Sequence, residues 1–360
     1  MPGHSTPVGR IVEIGDKPFI KTAFPETTEF FSTYAMAPTA DPREKIYNIS
    51  LSTIGRLRAL LRDPETCLIV CHPYQRSPWT PDAISRALFS RRIFQGQVPL
   101  LRAFGTQFVR GQCHAPIVVI DQDDFPLINR SNLFLLKRCH LYFKRELPID
   151  RWQVFLKTAH SNLPTGRFRR LARWKELVEK LRPISLGLPM NARTAYPQTA
   201  EKSTDVFFAG EVESSSWIRK VGVSELESLA KAGIKVDLPR AKLSPDEFYA
   251  RCAASWLVWS PEGYGWDCFR HYESLACGAV PVINYPTIER YRPLVDGEHA
   301  LFYSSEPGSL TQAVLRALKD KERLARIADA GRKHVMQHHT ASALAQHVVE
   351  QGMGLLRAGT

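Results

Sequence analysis

Nowhere in its 360 residues does the chain string together the roughly 18 apolar residues that a membrane-crossing helix requires, so a transmembrane span is excluded. The opening residues, MPGHSTPVGR, carry no apolar core of the signal-peptide kind, and a cytoplasmic protein is expected. The seven cysteines, Cys67, Cys71, Cys113, Cys139, Cys252, Cys268 and Cys277, include no C-x-x-C pair and are odd in number. Their apolar surroundings point to reduced structural thiols and away from a disulfide framework or a zinc cage; no metal site is expected. No internal repeat or low-complexity tract is visible, which argues against a repeat architecture.

What is present is a globular composition, 44% hydrophobic, in a chain long enough for two domains of about 150 residues each. Charge is distributed unevenly. Lys and Arg outnumber Asp and Glu by 28 to 16 over residues 1–190 and equal them, 20 to 20, over the remainder, so the whole net charge of +12 lies in the first half. Such a half suits an anionic partner: a membrane surface, a phosphorylated acceptor or nucleic acid. A basic solvated surface is the plainer reading. Nucleic acid is not the expected partner, because no recognition helix, zinc site or aromatic RNA platform accompanies the charge.

In the first half, short apolar runs at 67–73 (CLIVCHP), 115–124 (APIVVIDQDD) and 141–148 (LYFKRELP) alternate with longer connections, one of them a helical pattern at 80–94. Continuous apolar strands joined by long crossovers predict a parallel sheet covered on both faces. Residues 1–45 have only weak periodicity and are not assigned. The second half repeats the scheme, with strands at 205–210, 234–238, 256–261, 279–285 and 299–305 and helices at 224–233 and 244–255, the latter opening on a Ser244/Glu247 capping box. A helical stretch from 309 to 339 is expected to break near Gly331. A stretch rich in Pro, Ser and Thr ends the first half. The expected division is therefore a domain at 1–185, a linker at 186–204, a domain at 205–340 and a C-terminal helix at 341–360 that packs back on the first domain.

The stretch GYGWDCFRHYESLACGAVPVINYP, residues 263–286, concentrates the chemistry. A strand ends near residue 260, a loop follows with Gly263, Tyr264 and Gly265, and a helix is expected from about Asp267. In open parallel sheets ligands bind outside the carboxyl ends of the strands. Glycines there let the backbone approach a ligand, and the amides of a helix start favour an anion. Arg270 offers a forked cation suited to phosphate oxygens, and Glu273, less than one turn on, shares its face and can accept from a pair of sugar hydroxyls. A nucleoside diphosphate can be laid across that face. Alternatively Arg270 and Glu273 simply pair with each other. His271 reads as a structural histidine.

RHYESLACGAVPVI, with DGEHALFYSSEPGSLTQAVLRAL and RIADAGRKHV downstream, resembles the C-terminal domain of GT-B glycosyltransferases, in particular their exostosin-like and spore-maturation-like branches. The resemblance covers about residues 205–340. It implies an α/β fold of two Rossmann-like doubly wound domains facing a cleft, the first on the acceptor side, the second binding a nucleotide-sugar donor. It adds Gly210, at the end of a strand, and Arg219 and Lys220, at the start of the next helix, as donor contacts; the last two are as readily solvated helix residues. Many retaining family-4-type enzymes carry two glutamates separated by seven residues, whereas Glu262 and Glu273 are separated by ten. Inversion without a metal is therefore the expectation, with no cofactor beyond the nucleotide-diphosphate sugar substrate.

An inverting transfer needs a base for the acceptor hydroxyl. Asp121, Asp123 and Asp124 cluster at the end of an apolar strand, where mutual repulsion raises proton affinity; Asp124 is the first choice and Asp121 the second, although for any single one of them a loop cap, with Asp123 or Asp124 bonding backbone amides before Pro126, is the favoured plain reading. His72 ends another strand and is the alternative base or an acceptor contact. The basic amphipathic segment 166–181 either rests on anionic lipid, bringing the enzyme to a lipid-linked or other glycan acceptor at the inner membrane face, or packs on its own domain. The expected role is bacterial surface-glycan synthesis; a sugar-nucleotide epimerase or hydrolase on the same fold and a basic nucleic-acid-binding protein are the alternatives.

Overall fold

The computed structural model describes residues 9–34, 42–73, 105–156, 158–160, 163–164, 170–190, 196–197 and 201–358. The helical pattern expected at 80–94 lies outside them. The chain divides into two compact units, Met1–Pro183 with Ala345–Thr360, and Ile184–Leu344.

The first unit is built on seven parallel strands: β1 (Arg10–Gly15), β2 (Thr28–Ser32), β3 (Ile46–Asn48), β4 (Thr66–Cys71), β5 (Ile117–Asp121), β6 (Leu141–Lys144) and, after a small antiparallel pair β7 (Thr158–His160) and β8 (Leu163–Pro164), β9 (Leu181–Pro183). They lie in the order β3-β2-β1-β4-β5-β6-β9. The cause is visible in the runs themselves: Leu68, Ile69, Val70 and Cys71, and likewise Ile117 to Ile120, are buried on both faces, which only a doubly covered sheet allows. Winding reverses between β1 and β4, and their carboxyl ends form the switch point at which such sheets hold ligands. The unassigned segment 1–45 supplies β1 and β2. Its pattern is obscured because Glu13, fully buried inside β1, interrupts the apolar run.

The second unit has five parallel strands, β10 (Thr204–Phe207), β11 (Val236–Asp237), β12 (Ser255–Trp259), β13 (Val280–Asn284) and β14 (Leu301–Tyr303), ordered β11-β10-β12-β13-β14. Here the switch point falls between β10 and β12. The capping box forms as the spacing requires: Ser244 Oγ accepts from the Glu247 amide at 3.3 Å and Glu247 Oε2 accepts from the Ser244 amide at 2.9 Å.

Two expectations are corrected. The helix placed at 224–233 begins seven residues earlier, as Trp217–Lys231. The expected break at Gly331 is instead at Asp320, whose side chain caps the amide of Arg323 at 2.8 Å and opens the helix Lys321–His338. Gly331 lies inside that helix, where a Cβ would stand 2.4 Å from Leu275 Cδ2 and 2.7 Å from the His299 carbonyl. The glycine marks a close approach rather than a helix end. Gly331→Ala should therefore destabilise the second unit by about 1 to 3 kcal/mol, read as a lowered urea midpoint; an unchanged midpoint would contradict the contact.

Candidate functional site

The carboxyl ends of β10 and β12 bring two arginines together. Arg219 lies in the first turn of the helix Trp217–Lys231, after β10, and Arg270 is the second residue of the helix Phe269–Ala276, after β12. Buried Arg219 ties the two loops: its Nε donates to the Glu262 carbonyl at 2.9 Å and its Nη1 to the Glu211 carbonyl at 2.8 Å. Arg270 lays its guanidinium over the Phe208 ring at 5.0 Å and donates from Nη2 to the Ala209 carbonyl at 2.8 Å. Its Nε and Nη1 are buried and have no hydrogen-bond partner among the described residues. Burial, and after it the charge of Arg219, depresses the Arg270 pKa. Both cations also stand at helix N-termini, the ends whose free amides and dipole repel positive charge. Two guanidinium groups and two helix N-termini converge on this corner, which is the condition for binding an anion.

The glycines are part of it. A Cβ on Gly210 would lie 2.5 Å from Arg270 Nη2, and one on Gly263 would lie 2.9 Å from Arg219 Nη2. Glycine is thus what lets the guanidinium groups reach these places. The Gly263 amide donates to the Gly265 carbonyl at 2.9 Å and closes the loop. Tyr264 is 68% exposed at the loop tip and Gly265 is buried.

Glu273 shares the Arg270 face, half-buried, but the two do not pair. Its Oε1 accepts from the Tyr249 hydroxyl at 3.0 Å, and burial pushes its carboxyl pKa up. Tyr249 in turn packs edge-on against Tyr196, 4.9 Å between centroids. Lys220 is not brought into this group; it pairs at 3.1 Å with exposed Glu213. His271 is structural: Nε2 donates to the Trp266 carbonyl at 2.8 Å, Nδ1 lies 2.7 Å from the Ser260 hydroxyl, and burial lowers its pKa to about 3, leaving it neutral. Asp267 precedes the helix rather than opening it, accepting from the Leu186 amide and the Tyr272 hydroxyl, each at 2.6 Å.

In the first unit the aspartates after β5 differ from expectation. Buried Asp121 is committed to structure, its Oδ2 accepting from the Tyr142 hydroxyl at 2.7 Å and from buried Lys144 at 3.2 Å. Asp124, the first choice for a base, has Oδ1 occupied by the Arg145 guanidinium. The carboxyl whose pKa is raised is Asp123, by burial and then by Asp121, yet its Oδ1 caps the Asp124 amide at 2.8 Å. These carboxylates also follow β5, away from the switch point. His72 follows β4, at it. His72 is buried, and its Nε2 is 2.9 Å from Glu13 Oε1. Sequence reasoning missed Glu13, because a lone acidic residue in an unassigned segment gives no local signal.

Of the segment 166–181, residues 166–169, including Phe168, lie outside those described. The remainder is a single turn and the short helix Lys175–Glu179. Trp174 packs, tilted, against Phe155 at 4.7 Å between centroids, and Trp174, Leu177 and Val178 lie partly buried against the first unit's core, so the apolar stripe faces inward. Among the described residues no helix is long and apolar enough to cross a membrane, and no group of three or more His, Cys, Asp or Glu side chains could hold a metal.

Residues 240–350 match the family model described as glycosyl transferase-like, a span that takes in Arg270 and Glu273 but not Arg219. Comparison with curated proteins finds no match. Among solved structures the chain is similar to a glycosyltransferase from Rickettsia africae ESF-5, with TM-score 0.59 and 9% identity over 97% of this chain and 99% of that one. It is similar to sucrose-phosphate synthase from Thermosynechococcus elongatus, with TM-score 0.56 and 12% identity over 97% and 100%. HepE of Anabaena, solved with UDP, aligns with TM-score 0.53 and 14% identity over 95% and 99%. Fold and matched segment together define the class: a GT-B fold with a glycosyl transferase-like C-terminal segment. The expected resemblance holds at that level.

A buried cation without an acceptor weakens the ligand-free protein. Arg270→Met should raise its stability by about 1 kcal/mol, measured by thermal melting without nucleotide. A clear loss of stability would show that the arginine is satisfied in the free protein.

Proposed function

We propose that this protein is a glycosyltransferase that moves a sugar from a nucleoside-diphosphate sugar to a hydroxyl acceptor, with inversion and without a metal. The observation that carries the reading is the pair of buried, unengaged donors on Arg270, set beside Arg219 at two helix N-termini of the second unit. A diphosphate supplies the missing acceptors, and its oxygens gain charge as the sugar leaves, so the same groups bind the donor and favour the departing diphosphate. The charge gathered here is guanidinium, in the role a divalent cation would otherwise fill. Glu273 then takes the ribose hydroxyls. The HepE structures, one with UDP and one with UDP-glucose, support a uridine nucleotide as the first donor class to try. Surface-glycan synthesis on a glycan or lipid-linked acceptor at the inner membrane face suits the basic first half. The inward stripe of 170–181 leaves any membrane contact to charge rather than to insertion.

Thermal-shift and calorimetric titration against UDP, GDP, ADP and CMP tests the donor reading. One nucleoside diphosphate should raise the melting temperature, by an amount that grows with its excess over Kd. Glu273→Ala should weaken that nucleotide by about 1.5 to 3 kcal/mol without unfolding the protein. Stabilisation by CMP alone, or by none of the four, would overturn the reading.

The raised Glu273 pKa gives a pH signature. Only the ionised carboxylate accepts from two ribose hydroxyls, and a raised pKa means it takes up its proton at higher pH than an exposed glutamate. Affinity should therefore fall on acidification while surface carboxylates are still ionised, and Glu273→Gln should be weaker throughout but flat over that window. Parallel profiles for both proteins would exclude the role given to Glu273.

A further inference from the structure

Tyr249 stands behind the carboxylate on which the pentose contact depends. It belongs to the helix Pro245–Ala253, whose start the Ser244/Glu247 capping box fixes, and it is buried. Its ring meets Tyr196 edge-on at 4.9 Å and Phe248 at 5.7 Å, and Phe248 packs in turn on Phe207 of β10. Rings held this way leave the hydroxyl little freedom, and it donates to Glu273 Oε1 at 3.0 Å. A phenylalanine would fill the same space; the bond to Glu273 is what the hydroxyl adds. Among the described residues, the ionisable groups around Glu273 are Arg270 and Cys277, on and just after its own helix, Tyr249 and Cys252 from the helix Pro245–Ala253, and Tyr196 from the segment before β10. Burial pushes the Tyr196 phenol up to about 12 and the phenol of Tyr249 and the thiol of Cys252 well above their ordinary values, so these three stay protonated and uncharged. Burial also pushes the Glu273 carboxyl up; the Tyr249 bond, and after it the charge of Arg270, act against that. Tyr249 is thus a permanent donor to a half-buried carboxylate that Arg270 does not pair.

Resting on the transferase reading above, we propose that Tyr249 is the positioning residue of the donor's pentose site: by holding Oε1, its hydroxyl sets how the Glu273 carboxylate meets the two ribose hydroxyls. Each carboxylate oxygen has two lone pairs, so Oε1 can keep the phenol on one and take a ribose hydroxyl on the other while Oε2 takes the second hydroxyl. A donor on Oε1 also stabilises the ionised form, the form that can accept from both hydroxyls at once. Tyr196, packed against the ring of Tyr249 and not against the carboxylate oxygens, keeps that phenol in place. Tyr249 itself touches no part of the nucleotide in this arrangement and acts only through Glu273.

Calorimetric titration of the full-length protein with UDP and with 2′-deoxy-UDP, from neutral to acid pH, tests the assignment. Tyr249→Phe keeps the ring and its aromatic contacts. Near neutral pH it should weaken UDP about 3-fold. Losing a bond that favours the ionised carboxylate raises the Glu273 pKa further, so the variant takes up its proton at higher pH, and its acid limb should lie about half a pH unit or more above that of the wild type. The nucleotide's own phosphate titrates alike with both proteins and cancels in the ratio of their affinities, which should widen on acidification. Removing the 2′-hydroxyl should weaken binding less in Tyr249→Phe than in the wild type, because the carboxylate that receives it is no longer aligned. A ratio constant across pH, with an equal effect of the 2′-hydroxyl in both proteins, is the signature of packing alone and overturns the assignment. Should Tyr249→Phe fail to fold, the wild-type chain carrying 3-fluorotyrosine decides: its more acidic phenol is the stronger donor and should move the acid limb to lower pH, and an unmoved limb overturns the assignment. UDP binding that Tyr249→Phe leaves untouched at every pH overturns the assignment alone; absence of UDP binding to the wild type overturns the donor reading and the assignment with it.

Discussion

The Arg270 guanidinium lies over Phe208, gives one bond to the Ala209 carbonyl, and keeps two further donors buried with nothing among the described residues to receive them. Its setting adds to the repulsion, since Arg219 and two helix N-termini contribute charge of the same sign. A fold relieves such an arrangement by pairing it with a carboxylate, and the nearest candidate, Glu273, is turned to Tyr249 instead. The second unit therefore stores an unmet electrostatic demand at the place where its sheet topology opens a crevice. Binding a polyanion satisfies the demand, so affinity and free-state instability have one origin. Much of the local sequence serves this geometry: the aromatic ring under the Arg270 guanidinium, Gly210 and Gly263, which leave room for Arg270 and Arg219 respectively, and the Arg219 bonds that hold the loops after β10 and β12 in register.

Charge in the first unit is managed the opposite way. Acidic groups there are consumed by neighbours: Asp121 by Tyr142 and Lys144, Asp124 by Arg145, Asp123 by a backbone amide. The Glu13 carboxylate is held by the amides of Phe19, Ile20 and Lys21 and meets His72 Nε2 at 2.9 Å. The second unit places its unsatisfied donors at the reversal of strand order, whereas the clustered aspartates of the first unit lie at the end of a strand on one side of its own reversal.

What could be read in advance follows from the range of each signal. Parallel strands were legible at β4, β5, β12 and β13 because both-face burial writes a continuous apolar run. The Ser244 capping box and the shared face of Arg270 and Glu273 were legible because each is a spacing of three residues on one helix. Glu13 and His72 are 59 residues apart and meet only through strand pairing, so no local pattern announces them. The same burial of Glu13 hid β1, whose apolar run it interrupts. Gly331 misled because a glycine that admits a neighbouring side chain and one that ends a helix look alike in sequence. Carboxylate clustering carries no sign of Arg145, Lys144 and Tyr142, which β6 and the residue after it bring alongside.

The account rests on Arg270 waiting for phosphate oxygens. A crystal structure of the protein with UDP measures this directly: the account predicts pyrophosphate oxygens within hydrogen-bond distance of both Nε and Nη1 of Arg270, with the ribose hydroxyls on Glu273. UDP bound elsewhere, with those two nitrogens still unengaged, would contradict it.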